Sequence, residues 1–141
     1  MPLILEQLKQ TLSALQRSIS ALKALKDTSG KQQKDLIEAV EAGIIQHFEI
    51  SYELSWKLMK RWIEEKGTVT LVDGLSRREL YRVAEELQII TSFEEWMMFH
   101  AGRNSSSHLY DSQTASEVLS MSHKFLPAGI ALLTFLEEHN D

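Results

Sequence analysis

The sequence predicts an all-α protein: a four-helix up-and-down bundle with a short extra helix, with residues 1–141 forming a single domain. Three observations carry this. Apolar residues recur at three- and four-residue spacing along most of the chain. The only β-rich stretch, Val-Thr-Leu-Val inside GTVTLVDG, is too short for an independent sheet. Ser/Thr-x-x-Glu signatures at Ser76, Ser92 and Thr114 each mark a helix start. A chain of 141 residues, 43% hydrophobic and 25% charged, suits one substantial core.

The first helix is expected over residues 3 to 26, where Leu8, Leu12, Leu15, Ile19 and Leu22 form one apolar stripe. KDTSGKQQ has no apolar member and reads as the connecting loop. The second helix runs from Lys34 to Lys66 without a proline, keeping Ile37, Val40, Ile44, Phe48, Tyr52, Ser55, Met59 and Trp62 in helical register. Ile50, Leu54 and Leu58 widen its apolar arc beyond one core-facing stripe, leaving Glu49, Glu53, Lys57, Lys60 and Glu64 on a narrow wet strip. The excess surface is assigned to burial from a second side, by another helix of the bundle or by another subunit. Ile50, Leu54 and Leu58 are the candidate interface residues.

Gly67 is placed to stop this helix, and GTVTLVDG follows as an exposed connection. The Ser76 box opens a helix that turns Leu80, Val83, Ala84 and Leu87 inward. The Ser92 box opens another with Phe93, Trp96, Met97 and His100 on one side. The polar run Arg103 to His108 competes with the helical backbone through its own side chains, so a break or helix end belongs there. From the Thr114 box a last helix continues to the C-terminus, with a bend expected at Pro127.

Composition narrows function. The absence of cysteine excludes a disulfide framework, thiolate zinc sites and cysteine nucleophiles. No basic-then-apolar leader and no run of roughly 18 consecutive apolar residues occurs, so a cytoplasmic protein with no membrane segment is expected. The net charge of −5 argues against a general nucleic-acid coat. Charge is nevertheless uneven: Lys57 to Arg82 holds seven basic residues against four acidic, whereas from Val83 onward Arg103 and Lys124 face nine acids. Phosphate-cradling glycine motifs and the serine-hydrolase elbow are missing, and no histidine pair has metal-ligand spacing, so neither a metal nor a cofactor is expected. His47, His123 and His139 read as surface or chain-end residues, and His100 as a hydrogen-bonded packing residue.

What remains is Arg103-Asn104-x-x-x-His108-x-Tyr110-Asp111. Arginine offers a planar fork to a phosphodiester, histidine exchanges a proton near neutral pH, and asparagine and tyrosine orient hydroxyls. On a continuous helix Arg103 and His108 would lie about 140° apart and Arg103 and Tyr110 would share a face. A serine-rich break would let the three converge. The alternative is a helix terminus tied down by its own polar side chains.

Taken in order with Phe48-Glu49-Ile50-Ser51-Tyr52-Glu53-Leu54-Ser55-Trp56-Lys57, the Arg77-Glu79-Ala84 stretch and Trp96, this motif resembles the nucleotidyltransferase substrate-binding proteins, also called HepT-like, within the HEPN group of small helical proteins. The resemblance extends from about Lys34 to Phe135. It implies a homodimeric bundle that pairs with a separate minimal nucleotidyltransferase, commonly as a toxin and antitoxin, and that binds a nucleotide or RNA. In the HEPN ribonucleases the corresponding arginine and histidine, from two subunits, cleave RNA without metal. Carried over, Arg103 would stabilise charge on the scissile phosphate and His108 would transfer the proton, with Asn104 and Tyr110 in the binding site. Tyr110 matches the tyrosine that the partner enzyme of some relatives modifies with AMP. Ser105 to Ser107 are polar where many ribonuclease members carry apolar residues. The resemblance thus implies a partner subunit of a nucleotidyltransferase, not itself a transferase, with a metal-independent ribonuclease as the alternative.

Overall fold

The computed structural model describes residues 2–28, 33–66 and 74–141. Five α-helices occur among them: α1 (Glu6–Asp27), α2 (Lys34–Lys66), α3 (Arg77–Glu86), α4 (Phe93–Ser105) and α5 (Ser112–Glu138). A single 3-10 turn, Ser106–His108, joins α4 to α5. α1, α2, α4 and α5 make the bundle and α3 is the short extra helix. Gly67, the Val-Thr-Leu-Val stretch and the middle of KDTSGKQQ lie outside the described residues.

Helix α1 begins at Glu6, because the residues before it are used otherwise. The Leu3 N–H donates to Asn140 Oδ1 (2.6 Å) and Asn140 Nδ2 donates to the Leu3 carbonyl (2.9 Å). These two bonds tie the N-terminal segment to the residues that follow α5. Leu8, Leu12, Leu15 and Leu22 are buried as their spacing requires. Helix α2, 33 residues and so about 50 Å long, runs the length of the bundle and packs on α1 and α5. Ser51 and Ser55 are fully buried on it. The Ser55 hydroxyl donates to the Ser51 carbonyl (2.7 Å), which satisfies one polar group inside the core.

Ser76 and Glu79 form the reciprocal capping box at the start of α3. At α4 the Ser92 hydroxyl accepts from the Glu95 N–H (3.1 Å), and Glu85 of α3 accepts the Phe93 N–H (2.7 Å). A carboxylate from the preceding helix thus helps cap α4 and fixes the corner between the two. Helix α3 ends in a Schellman arrangement: the Gln88 N–H donates to the Glu85 carbonyl and the Ile89 N–H to that of Ala84. Gln88 adopts φ +62° there, a position usually held by glycine.

The third expected capping box is corrected. Helix α5 starts at Ser112 with Asp111 as N-cap, which places Thr114 inside the first turn. Its hydroxyl donates to Asp111 Oδ2 (2.7 Å), so threonine is the donor and the aspartate, equally suited to a cap, takes the position. Pro127 lies within α5, and the helix continues through it. By length and composition α5 is apolar enough to cross a membrane. His123 and Lys124 interrupt its apolar run, and its stripe Val118, Ser122, Phe125, Gly129, Leu132 and Leu136 is buried in the bundle.

The core is aromatic near the α4–α5 end. Phe125 stands edge-on to Phe48 (5.4 Å between centroids), Phe99 (5.2 Å) and Trp96 (5.7 Å). This cluster fixes the relation of α2, α4 and α5 beneath the polar corner that follows.

Candidate functional site

The polar run from Arg103 ends α4 and makes the turn into α5, as its composition requires. The three motif side chains emerge from this corner in different directions. Arg103, in the last turn of α4, points to α2. Its Nη1 lies 3.1 Å from Glu49 Oε2 and its Nε 3.5 Å from Glu53 Oε1. The second contact is an ion pair without hydrogen-bond alignment, since Nε is buried and makes no hydrogen bond. Arg103 Nη1 also donates to the buried Ser106 hydroxyl (2.9 Å). That hydroxyl lies 2.7 Å from both Glu49 Oε2 and the Arg103 carbonyl, either of which can accept its single proton.

Glu49 and Glu53 therefore do not stand on a wet strip. They lie one turn apart on α2 and face the guanidinium, with about a third of each side chain or less exposed, 27% and 35%. Two carboxylates against one cation leave the cluster net negative. Glu53 also accepts from Trp56 Nε1 (3.1 Å), and Trp56 is covered by the Arg77 guanidinium at 3.4 Å from its ring centre.

His108 and Tyr110 are exposed on the other side of the turn. The Tyr110 hydroxyl lies 3.3 Å from His108 Nδ1, and the two rings meet edge-to-face. Tyr110 is 86% exposed. Within one chain Arg103 and His108 line separate depressions: Arg103 sits with Ile50 and Leu54, and His108 with Tyr110 and Asp111. Thr114 holds the Asp111 carboxyl below its ordinary range by hydrogen bonding. Asn104 Nδ2 stands 3.4 Å from His100 Nε2.

A buried polar network behind the corner escaped sequence reasoning. The Tyr52 hydroxyl contacts the Tyr81 hydroxyl, His100 Nδ1 (3.1 Å) and Arg77 Nη1 (3.1 Å). One assignment satisfies the three contacts of Tyr52: Tyr81 and Arg77 donate to the Tyr52 oxygen, and the Tyr52 hydroxyl donates to Nδ1 of a neutral His100, whose Nε2 then carries the proton and calls for the amide oxygen, not the nitrogen, of Asn104. Burial raises both phenols above their ordinary value, Tyr81 the more strongly. Burial, then the Arg77 charge, lowers the His100 imidazole. His100 is thus the hydrogen-bonded packing residue its position on α4 suggests. The sequence signal for the network was the spacing of Glu49, Tyr52, Glu53 and Trp56, four consecutive positions of one α2 face.

The remaining histidines have structural partners. His47 bridges to Ser18 of α1 (3.0 Å), His123 contacts the Leu119 carbonyl (2.9 Å), and His139 stacks on Phe135. Among the described residues no three His, Asp or Glu side chains gather as a metal ion would need. Of the candidate interface residues, Ile50 is 42% exposed, Leu54 half-buried and Leu58 buried in the chain's own core.

A helical bundle whose polar corner carries an arginine, a histidine and an exposed tyrosine defines a small protein of the all-α class. More particularly, the chain belongs to the family described as nucleotidyltransferase substrate binding protein like, whose model matches residues 7–138. It is 33% identical over 100 residues to a Haemophilus influenzae protein named probable ribonuclease HepT, covering 70% of this chain and 68% of that one. A solved Haemophilus influenzae structure, described as revealing the fold of a substrate binding domain of a nucleotidyltransferase, is similar with a TM-score of 0.85 and 26% identity. The likeness covers 95% of this chain and 99% of that one.

Proposed function

We propose that this chain, as a single helical domain, is the substrate-side partner of a separate minimal nucleotidyltransferase, and that Tyr110 accepts AMP from it. The pair is of the toxin–antitoxin kind and works in the cytoplasm, with this chain as a homodimer. The observation that carries the reading is Tyr110 itself, 86% exposed with its hydroxyl 3.3 Å from His108 Nδ1. A phenol on a helical corner with no buried partner supports a role in transfer over one in packing. The partner enzyme supplies ATP. The Tyr110 oxygen attacks the α-phosphorus, the bond from that phosphorus to the β-phosphate oxygen breaks, and pyrophosphate leaves. The phenolic proton passes to His108 Nδ1. Incubation with the cognate nucleotidyltransferase and ATP should add the mass of AMP to the wild type and not to Tyr110→Phe. An unmodified wild type, or equal mass on the variant, removes the assignment.

A second reading, a metal-independent ribonuclease using Arg103 and His108 across a dimer, is supported by the relative named probable ribonuclease HepT. It is the weaker of the two because Arg103 is already compensated by Glu49 and Glu53. Cleavage of RNA in EDTA that is lost in both Arg103→Ala and His108→Ala would establish it, and intact RNA would dismiss it.

A further inference from the structure

Beside Tyr110, on the side away from His108, a groove of about 500 Å³ runs between the first half of α2 and the start of α5. Its floor is apolar: Ile45, Leu109 and Leu119 line it, with Ile45 only 5% exposed, and Ala42 stands exposed at its rim. Glu38 and Glu41 stand on its α2 wall. Among the described residues neither carboxylate pairs with a cation. Tyr110 belongs both to this groove and to the polar depression that holds His108. Its side chain therefore stands between an apolar, acid-rimmed compartment and an open one with an imidazole.

We infer that this groove is a nucleoside site, which receives the adenosine of an AMP whose phosphate lies at Tyr110. The inference rests on the reading of Tyr110 as AMP acceptor and adds where the rest of the nucleotide goes. The division of charge sets the direction. Glu38 and Glu41 repel a phosphate from the groove; the open side holds one carboxylate, Asp111, which is engaged by the Thr114 hydroxyl and the first turn of α5, so the phosphate remains at Tyr110, beside the imidazole of His108. The uncharged base and sugar fit the acid-rimmed side, because carboxylates accept hydrogen bonds from the adenine amino group and the ribose hydroxyls. The apolar floor buries the face of the base, and the volume falls in the range of small-ligand sites. A di- or triphosphate lying inside the groove would meet both carboxylates. The site would hold the modification against the bundle once pyrophosphate has left.

The test separates this inference from the acceptor reading. Unmodified protein is titrated with AMP, UMP and adenosine while backbone amide shifts are followed by NMR, and AMP transfer to Tyr110 is measured separately by mass. AMP and adenosine should shift the amides of Ala42, Ile45, Ala115 and Leu119, with UMP weaker because uracil has no amino group to give the carboxylates. Filling the groove with Ala115→Trp should weaken AMP binding roughly tenfold or more. Ala42→Trp, at an exposed rim position, is the second filling variant should the first fail to fold. Shifts confined to His108–Asp111, no shifts at millimolar AMP, or undiminished binding by a folded filled variant would each overturn the groove. Groove shifts without transfer would retain the nucleoside site and remove the acceptor role. Transfer without groove shifts would do the reverse.

Discussion

Arg103 Nη1 of α4 lies 3.1 Å from Glu49 Oε2 of α2, so the cation of the R-x4-H motif is engaged within its own chain. Any phosphate that binds it competes with two carboxylates. The Glu49→Gln, Glu53→Gln double variant is therefore expected to bind inorganic phosphate or RNA more tightly, by roughly tenfold at low salt, with the gain shrinking as salt rises. Calorimetric titration at two ionic strengths checks this. Arg103→Ala should cost about 1 kcal/mol of stability, a figure held low because the groups are about a third exposed, read from urea midpoints.

The Tyr52–Tyr81–His100 network makes stability depend on pH at both ends. The folded His100 pKa lies below its ordinary 6.5, so the unfolded chain takes up the proton first. The contribution is complete above about pH 6.5 and is lost as pH falls from there toward the folded value. The Tyr52 and Tyr81 phenols are raised above 10.0, so their contribution is complete below about pH 10 and is lost as pH rises beyond it. Thermal melts across pH should show both shoulders. His100→Asn should flatten the acid one and Tyr81→Phe the alkaline one, each relative to its own stability at pH 8.

The His108 imidazole is exposed, and it contacts the Tyr110 hydroxyl and ring. His108→Ala should leave the melting temperature unchanged and slow AMP transfer to Tyr110 by about 10²-fold, the usual worth of a positioned base. An unchanged transfer rate would assign the proton to a group of the partner enzyme.

The candidate interface divides along α2. Ile50 is 42% exposed and Leu58 only 8%. Ile50→Lys and Leu54→Lys are expected to lower the oligomeric state, measured by sedimentation, before they unfold the chain. Leu58→Lys should unfold it, by several kcal/mol, as a buried charge without a partner does. Unfolding by Leu54→Lys without dissociation would place that leucine in the monomer core.

Gln88 holds φ +62° at the end of α3, a conformation that costs an L-residue about 1 kcal/mol. Gln88→Gly should therefore raise stability by roughly 0.5–1 kcal/mol, visible as a higher urea midpoint. Its side chain is exposed.

Helix identity in this protein was legible in the sequence because it is written locally. Periodicity places α2 over Lys34–Lys66, where the structure has it. Ser76 and Glu79 announce α3, and the serine-rich run at the end of α4 signals the corner that the 3-10 turn makes. Each of these signals acts within one or two turns of helix, so no other part of the chain is needed to read it. The exceptions are also instructive: α1 starts late because Asn140, 137 residues away, takes the backbone of Leu3, and Asp111 displaces Thr114 as a cap because both suit the position. Only the tertiary structure decided what the side chains of the corner face. Arg103 meets Glu49 and Glu53, and Tyr52 meets Tyr81 and His100, pairings that join α2 to α3 and α4. Helical spacing fixes which residues share a face, but rotation of one helix against another is set by the packing of Phe48, Trp96, Phe99 and Phe125. That packing turns Arg103 inward to α2 and leaves Tyr110 in solvent.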